Sequence, residues 1–510
     1  MFKNQPKGLF PLALANTGER FGYYTMLAVF ALFLKANFGL TAGQAGLIYS
    51  VFLGLVYFLP IIGGALADKF GFGKMVTIGI AVMFAGYLLL AVPLGSDALA
   101  LVVMIAALLL ISFGTGLFKG NLQVMVGDLY NDPEYAHKRD EGFSLFYMAI
   151  NIGSLFAPLA AVGLKKWGES LGFANNDAYH FSFAAACLSL VVSILIYYGF
   201  RNSFRHVEGK RSKAEDSDKD SGKLPELSKE ETKSRIVALC LVFAVVIFFW
   251  MAFQQSGLTL TFFADEFTKM ETPGITGLPF NVLNLVFIIL IVYAAFSLFQ
   301  SESRKGKYIS GGIIALCVGA LIWQYTNLPA VTSYDAPIFQ QFNPFFVVAL
   351  TPVSMAIFSY LASKKKEPSA PRKIAYGMIV AAAAYALMIF ASIGLATPDA
   401  QKAAKDAGET LTLAGPYWLI STYLILTFGE LLLSPIGISF VTKVAPPKYK
   451  GMMMGGWFAA TAIGNLLVQV GGHLWGPLPL WVVWSVFVSL CLISAAIMFA
   501  LMKKLEAVTR

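Results

Sequence analysis

Four charged side chains stand near the middle of long apolar stretches, and they are the residues best placed to do chemistry. Glu19 and Arg20 are adjacent, Lys119 follows a run rich in glycine and apolar residues, and Glu430 lies within the stretch GELLL. A charge in apolar surroundings interacts strongly with an opposite charge or exchanges protons, because water does not compete for it. These residues predict a site for a charged solute or a proton, if the fold brings them together.

The composition indicates which class of protein must position these charges. Hydrophobic residues make up 57% of the 510 residues and charged residues only 13%, about half of the roughly 25% that is usual in soluble domains. A soluble protein this apolar could not cover its surface. The chain is therefore predicted to be an all-α integral membrane protein.

The apolar residues are grouped into runs of the length that a membrane helix requires. A bilayer core needs about 20 apolar residues of helix, and lipid forces such runs to satisfy their backbone amides internally as helices. Fourteen runs meet this length: 9–35, 44–68, 74–94, 98–129, 141–164, 179–200, 236–264, 280–300, 309–327, 339–363, 374–395, 414–441, 451–472 and 478–502.

The distribution of Lys and Arg predicts the orientation in the membrane. With both termini on one side, that side collects 30 of the 38 Lys and Arg residues, the other side collects six, and Arg20 and Lys119 lie inside spans. Positively charged loops remain in the cytoplasm, so both termini of this multi-pass protein of the cell (inner) membrane are predicted to be cytoplasmic. The net charge of +9 thus reflects topology, and no nucleic-acid partner is expected.

One long polar segment, 201–235, separates six runs from the eight that follow. It is rich in Lys, Glu, Asp and Ser and cannot bury enough apolar surface to fold alone. We interpret 1–200 as a six-helix bundle, 201–235 as a cytoplasmic linker and 236–510 as a second bundle. Within the second bundle, 280–327 is predicted to form an extra hairpin at the periphery, facing lipid. Two bundles with a site between them are typical of secondary transporters.

The central charges differ between the two halves. The first half carries Arg20 and Lys119 against Glu19, and the second half carries Glu430. A cavity between the halves would suit a zwitterionic solute, with its carboxylate toward the two cations and its ammonium toward Glu430. The alternative is that these charges form internal ion pairs that only hold helices together, although buried pairs seldom stabilise a fold more than apolar packing does.

The residues around Arg20 extend its polar helix face. Asn16, Arg20, Tyr23 and Tyr24 are spaced i, i+4, i+7 and i+8 and so share one side of a helix. The two tyrosines lie too deep in the span for an interfacial aromatic belt. All four side chains are therefore predicted to face the cavity.

Several further stretches carry distinctive patterns. They are GERFGYY at 18–24, FSLFYMAINIGSL at 143–155, the loop GALADKFGFGK at 64–74, FKGN at 118–121, Asn343-Pro344, GELLLSPIG at 429–437 and WFAATAIGN at 457–465. In this set, which spans nearly the whole chain, the sequence resembles the proton-dependent oligopeptide transporters of the major facilitator superfamily.

The resemblance implies a secondary active transporter that imports di- and tripeptides by alternating access. Its fold would be two six-helix bundles, here with two additional helices, and it would need no cofactor or metal. The implied wall residues are Arg20, Tyr23, Tyr24, Tyr57, Lys119 and Asn151 in the first half, and Trp250, Gln254, Asn343, Glu430 and Trp457 in the second.

The resemblance also implies a role for each polar group. The peptide carboxylate is expected at Arg20 and Lys119. The amino group is expected at Asn151, Asn343 and Glu430, and proton coupling at Glu19, Lys119 and Glu430.

Three positions depart from the family pattern. Asn16 stands where the first Glu of its Glu-x-x-Glu-Arg motif is usual, and Gln254 stands four residues after Trp250 where a Glu is usual; Gly120 replaces a Pro. Asn and Gln cannot titrate. The prediction is a reduced proton requirement with Glu19 as the carrier. The alternatives are a proton-independent facilitator, or a transporter of another small zwitterionic or anionic solute.

Other classes of protein are less compatible with the sequence. The four cysteines lie inside apolar runs and the four histidines are scattered, so no metal site is predicted. A membrane-embedded enzyme would need clustered His and Asp, or a Ser–Lys pair, near one interface, and none appears. A receptor built on a transporter fold remains an alternative, distinguished by its failure to exchange solute.

Overall fold

The computed structural model describes residues 5–135, 139–209, 228–301, 303–446 and 449–508. The helices are α1 (Leu9–Phe38), α2 (Ala42–Phe70), α3 (Phe72–Ala91), α4 (Ala98–Asp128), α5 (Arg139–Ser170), α6 (Asn175–Gly199), α7 (Lys229–Phe253), α8 (Thr259–Phe267), α9 (Val282–Gln300), α10 (Arg304–Thr326), α11 (Phe342–Ser363), α12 (Ala370–Ala391), α13 (Pro398–Asp406), α14 (Tyr417–Val444), α15 (Lys450–Leu466), α16 (Gln469–Leu474), α17 (Leu480–Ala500) and α18 (Met502–Ala507). Within the described residues, fourteen helical spans are long and apolar enough to cross a membrane, α7 with α8 and α15 with α16 each forming one span. The predicted number of spans is confirmed.

Helix α7 begins at Lys229, seven residues before the predicted run at 236. Ser228 caps the helix by accepting a hydrogen bond from the backbone N–H of Glu231 at 3.1 Å. Two glutamates in the first turn add a favourable interaction with the helix dipole. Local capping therefore extends the helix into polar sequence that hydropathy alone excluded.

The predicted linker is also structured at its first residues. Two 3-10 turns, Arg201–Ser203 and Arg205–Val207, pack against the first six helices, with Phe204 fully buried. Glu208 pairs with Arg201 at 2.8 Å and accepts a hydrogen bond from the Tyr197 hydroxyl at 2.8 Å. Residues 210–227 of the predicted linker lie outside the described residues.

Small residues allow the helices within each half to approach closely. In the first half (α1–α6), a Cβ at Gly79 of α3 would lie 2.7 Å from the carbonyl oxygen of Gly114 in α4. In the second half (α7–α18), a Cβ at Gly377 of α12 would lie 2.9 Å from the carbonyl oxygen of Gly429 in α14. Such close backbone contact is a principal source of helix association in lipid, and here it holds α14, which carries Glu430.

Helices α9 and α10 form a hairpin inserted between α8 and α11. The insertion starts and ends in a short antiparallel ladder of β1 (Glu271–Pro273) and β2 (Val331–Ser333), with Thr272 opposite Thr332. Nearly all of its apolar side chains are exposed or half-buried, with Leu316 exposed at 76%. This exposure supports the lipid-facing position proposed for 280–327, which remains a prediction.

The fourteen spans of the described residues are even in number, so residues 5 and 508 lie at the same end of the helical bundle, here named the terminal side. The opposite side is named the far side. Among the residues that the structure describes, two ion pairs between the halves lie on the far side: Lys35 of α1 with Glu266 of α8, and Lys166 of α5 with Asp335 at 2.5 Å. The indole N–H of Trp475 also donates to Glu266 at 2.9 Å. These contacts close the far side of the molecule.

Removing both far-side pairs, with Glu266→Gln and Asp335→Asn, is expected to favour opening of the far side. Each partly exposed pair contributes about 0.2–1 kcal/mol, so the open fraction should rise by about fivefold. The opening is measured as the distance between spin labels at Ala36 on α1 and Ala403 on α13, by pulsed electron paramagnetic resonance in a variant without native cysteines. The control is Glu169→Gln, which breaks a pair within α5, Lys165–Glu169 at 2.7 Å. Identical distance distributions in both variants would contradict the closure role.

Candidate solute-binding cavity

A cavity of about 290 Å³ lies between the two halves. Its walls come from α1, α2, α4 and α5 on one side and from α7, α11, α14 and α15 on the other. The structure brings together around it every predicted wall residue except Tyr23: Arg20, Tyr24, Tyr57, Lys119, Asn151, Trp250, Gln254, Asn343, Glu430 and Trp457.

Arg20 and Glu19 form a bidentate ion pair beside the cavity. Arg20 donates from Nε at 2.5 Å and from Nη2 at 2.6 Å to the two carboxylate oxygens of Glu19. Glu19 is fully buried and lies behind the cavity wall, which Arg20 lines. The Arg20 charge is therefore already neutralised inside the first half.

Tyr23 does not face the cavity, contrary to the expectation from helical spacing. It is buried, with its ring 4.6 Å from the Arg20 guanidinium and packed edge-on against Tyr24 at 5.2 Å. Asn16 is buried as well and is absent from the cavity wall. Successive α-helical residues are rotated by about 100°, so Tyr23 and Tyr24 lie on opposite sides of Arg20 and only Tyr24 reaches the cavity.

Lys119 is the uncompensated cation of the first wall. Its Nζ lies 4.0 Å from the centre of the Tyr57 ring, and it forms no ion pair within the described part of the chain. A cation over an aromatic ring is stabilised by the ring quadrupole without being neutralised. The Lys119 charge is thus available to an anionic group in the cavity.

Glu430 occupies the second wall, opposite Lys119. Its Oε2 accepts a hydrogen bond from Asn343 Nδ2 at 3.0 Å, and the same Nδ2 donates to Thr427 Oγ1 at 3.0 Å. Among the described residues Glu430 has no ion-pair partner. The wall therefore presents an uncompensated carboxylate, held by the first turn of α11.

The seventh span is interrupted where it borders the cavity. α7 ends at Phe253, and a 3-10 turn, Gln254–Gly257, separates it from α8. Tyr385 donates to the carbonyl of Ala252 at 2.5 Å and Tyr423 to that of Ser256 at 3.0 Å, which satisfies acceptors freed by the break. Within this turn, Gln254 is only partly buried and lines the cavity.

The remaining predicted residues contribute neutral polar groups and aromatic surface. Asn151 Nδ2 donates a hydrogen bond to the carbonyl of Tyr147 at 3.0 Å. The Trp250 indole N–H is buried with no partner among the described residues. Trp457 is 2% exposed and packs edge-on against Phe243. The wall is therefore largely aromatic around its few charges.

Among the described residues, nine wall residues with polar side chains were not predicted from the sequence: Tyr49, Gln123, Tyr147, Ser154, Ser256, Gln340, Tyr423, Ser434 and Thr461. Helical spacing could have indicated two of them, since Gln123 follows Lys119 by four residues and Tyr147 precedes Asn151 by four. Gln340 joins the halves by donating to the carbonyl of Ala28 at 3.1 Å. Isolated tyrosines in apolar runs, such as Tyr49 and Tyr423, carry no sequence signal that separates them from packing residues.

Comparison with known proteins places this architecture among transporters. The family model described as the POT family matches residues 73–219 and 332–474. The peptide transporter YePEPT of Yersinia enterocolitica subsp. palearctica is 31% identical over 503 residues, covering 93% of this chain and 89% of that protein. The uncharacterized transporter YclF of Bacillus subtilis is 32% identical over 497 residues, covering 92% of this chain and 88% of that protein.

The fold agrees with solved structures. A crystal structure of a peptide transporter POT in complex with sulfate superposes with a TM-score of 0.74 at 23% identity, covering 100% of this chain and 96% of that chain. The fold is accordingly the major facilitator fold with two additional helices. On the extent of the family match and the identity to these relatives, the chain is a multi-pass membrane transporter that belongs to the POT family.

Proposed function

We propose that this transporter imports di- and tripeptides across the cell membrane by alternating access, with its terminal side in the cytoplasm. The excess of Lys and Arg in the loops of the terminal side supports this orientation. The relative YePEPT is named as a peptide transporter, and a Lactococcus lactis relative, 28% identical, is named as a di-/tripeptide transporter. These names support peptides as the substrate class.

One observation carries the proposal: Lys119 and Glu430 stand on opposite walls of a single cavity, each without an ion-pair partner among the described residues. The Glu19–Arg20 pair is internally neutral, so the cavity offers one positive and one negative charge. A zwitterion satisfies both, with its carboxylate at Lys119 and the adjoining Arg20, and its ammonium at Glu430 and Asn343. The cavity volume is close to the lower limit for small-ligand pockets.

The direct test is counterflow of a labelled dipeptide in proteoliposomes that contain the purified protein. Exchange should be competed by unlabelled di- and tripeptides and not by free amino acids. If labelled dipeptide is not exchanged while another small zwitterion or anion is, the substrate class is wrong. If no solute is exchanged, the transport function itself is wrong, since absence of exchange is the behaviour expected of a receptor.

Proton coupling is proposed to proceed mainly through Glu19. Glu19 is held by Arg20, whose guanidinium also borders the cavity. A substrate carboxylate that engages Arg20 weakens this pair and thereby favours protonation of Glu19. Lys119 and Glu430 are also proposed to take part in the coupling, because the charged groups of a bound substrate change the electrostatic environment of both side chains. Since Asn16 and Gln254 cannot titrate, fewer protons are expected per peptide.

The coupling proposal is tested by peptide uptake with the pH gradient and the membrane voltage varied separately. Glu19→Gln is expected to abolish accumulation driven by the pH gradient while counterflow continues. Continued accumulation in this variant would exclude Glu19 as the carrier. If the unmodified protein accumulates no peptide under any gradient, it is a proton-independent facilitator.

Recognition of the amino group by Glu430 gives a separate expectation. N-acetylation removes the ammonium charge of a dipeptide and leaves Glu430 without a cationic partner among the described residues, which costs about 1.5–3 kcal/mol or roughly a ten- to hundredfold loss of affinity. Glu430→Gln should remove most of this discrimination. The measurement is competition against labelled dipeptide by the free and the acetylated peptide. Equal competition by both peptides with the unmodified protein would contradict the assignment.

A further inference from the structure

A second cavity, of about 500 Å³, lies on the surface at the terminal side of the second half. It is here named the basic cavity. It is bordered by the loop between α11 and α12 and by α18, and its lining includes Lys365, Lys366, Arg372, Tyr376 and Glu506. Within the described part of the chain, no residue lines both this cavity and the solute-binding cavity. The proposed function therefore gives the basic cavity no role.

The basic cavity carries more positive charge than its own carboxylates neutralise. Glu506 pairs with Arg372 at 2.7 Å, and Glu367 pairs with a lysine of α12. Lys365 and Lys366 are exposed, and neither forms an ion pair among the described residues. An anionic group that enters the cavity would thus meet two lysine charges that the described protein does not balance.

The backbone at Lys365 has a conformation that favours glycine. Its φ of 56° lies in the left-handed region, and no other non-glycine residue of the described ranges has a positive φ. The N–H of Lys365 donates to the carbonyl of Ala362 and that of Lys366 to the carbonyl of Leu361, both at 2.9 Å. These two bonds form a Schellman cap at the end of α11, in which glycine is usual at the position of Lys365. A lysine is unfavourable for the backbone here, which indicates that its side chain serves another purpose.

The basic cavity lies beside surface that faces lipid. Tyr360 of α11 and Tyr376 of α12 lie within two turns of the terminal-side ends of their helices and are 64% and 40% exposed. Exposed tyrosines at this depth are typical of the boundary between lipid headgroups and acyl chains. Farther into the spans, Ile357 and Ile379 are exposed as well. A phospholipid with its headgroup in the cavity would therefore place its acyl chains along apolar side chains.

We propose that the basic cavity binds the headgroup of an anionic phospholipid. Its phosphate would accept hydrogen bonds from Lys365, Lys366 and Arg372, and its acyl chains would lie along α11 and α12. Clusters of Lys and Arg next to membrane helices attract anionic lipids, and the cavity supplies a defined place for one headgroup. The inference goes beyond the proposed function and does not depend on which solute is transported.

A second basic loop on the terminal side provides a matched control. The loop between α9 and α10 leads into Lys305 and Lys307, which are exposed, form no ion pair among the described residues and lie outside the basic cavity. General attraction between basic loops and an anionic membrane would involve both loops equally. A specific headgroup site would involve only the loop between α11 and α12.

The experiment titrates the purified transporter in detergent with phosphatidylglycerol or phosphatidylcholine of identical acyl chains, and native mass spectrometry gives the dissociation constant of the first bound lipid. Phosphatidylglycerol should bind at least about tenfold more tightly than phosphatidylcholine. The double variant Lys365→Gln, Lys366→Gln should lose about fivefold in affinity for phosphatidylglycerol for each lysine removed. The control Lys305→Gln, Lys307→Gln should retain the affinity of the unmodified protein. Equal losses in both double variants would exclude a specific site.

Lys365→Gly separates lipid binding from folding, because glycine adopts the left-handed conformation without strain. Its unfolding temperature without added lipid should equal or exceed that of the unmodified protein, while its affinity for phosphatidylglycerol should fall about fivefold. Unchanged affinity in this variant and in Lys365→Gln, Lys366→Gln would exclude the basic cavity as the lipid site. Equal affinity of the unmodified protein for the two lipids would exclude an anionic preference. Glycerol 3-phosphate, which lacks acyl chains, should compete weakly; competition as strong as that of the lipid would assign the cavity to a soluble phosphate instead.

Discussion

Lys119→Met is expected to weaken the binding of free-acid dipeptides by roughly ten- to hundredfold. The loss corresponds to one charge-assisted hydrogen bond of about 1.5–3 kcal/mol. The effect should be large because Arg20 is already paired with Glu19, whereas Lys119 is the uncompensated cation of the described cavity wall. Methionine keeps an unbranched chain of similar length, so packing against Tyr57 is retained.

The discriminating measurement compares a dipeptide with its C-terminal amide. The unmodified transporter should bind the amide poorly, and Lys119→Met should bind the acid and the amide with similar affinity. Lys119→Arg retains the charge and is expected to retain most of the preference for the acid. The control is Lys402→Met, on an exposed position of α13 remote from the cavity. Unaltered affinity for the acid in Lys119→Met would show that the carboxylate binds elsewhere.

Breaking the Glu19–Arg20 pair is expected to have the largest effect on stability. Both side chains are almost completely buried, and Arg20 uses two donors on Glu19. Removing one partner of such a pair costs about 3–5 kcal/mol, because the remaining charge is buried without compensation. Of the two single changes, Glu19→Leu should destabilise the protein more than Arg20→Met. The carboxylate that Arg20→Met leaves unpaired can be neutralised by a proton, whereas the guanidinium that Glu19→Leu leaves unpaired cannot.

The double variant Glu19→Leu, Arg20→Met separates stability from function. Replacing a buried pair by apolar residues of similar volume is often neutral, so the double variant should unfold near the temperature of the unmodified protein. It should bind peptide and yet fail to accumulate it under a pH gradient. Thermal unfolding in detergent of the four proteins gives the coupling energy. If the loss of stability in the double variant equals the sum of the losses in the two single variants, the internal ion pair is contradicted.

The sequence alone determined the spans and the depth of the charges within them. Hydropathy is a local property, and lipid leaves a run of about 20 apolar residues no alternative to a helix. The fourteen predicted runs therefore correspond to the fourteen spans of the described structure. For the same reason Lys119 and Glu430 could be recognised as central charges before any contact was known.

Only the tertiary structure decided how each span is rotated about its axis. Tyr23 and Tyr24 are neighbours in sequence, yet one is packed inside the first half and the other lines the cavity. Rotation depends on which faces pack against neighbouring helices, and a uniformly apolar helix carries little information about it. The polar wall residues Tyr49 and Tyr423 were missed for this reason.

The tertiary structure also decided how the central charges are distributed. From the sequence, Arg20 and Lys119 were equivalent candidates for a substrate carboxylate. The rotamers of Glu19 and Arg20 direct both side chains together, which leaves Lys119 as the uncompensated cation. The pairing of buried charges depends on side-chain geometry and on the desolvation that the surrounding helices impose, and neither property is present in the order of the residues.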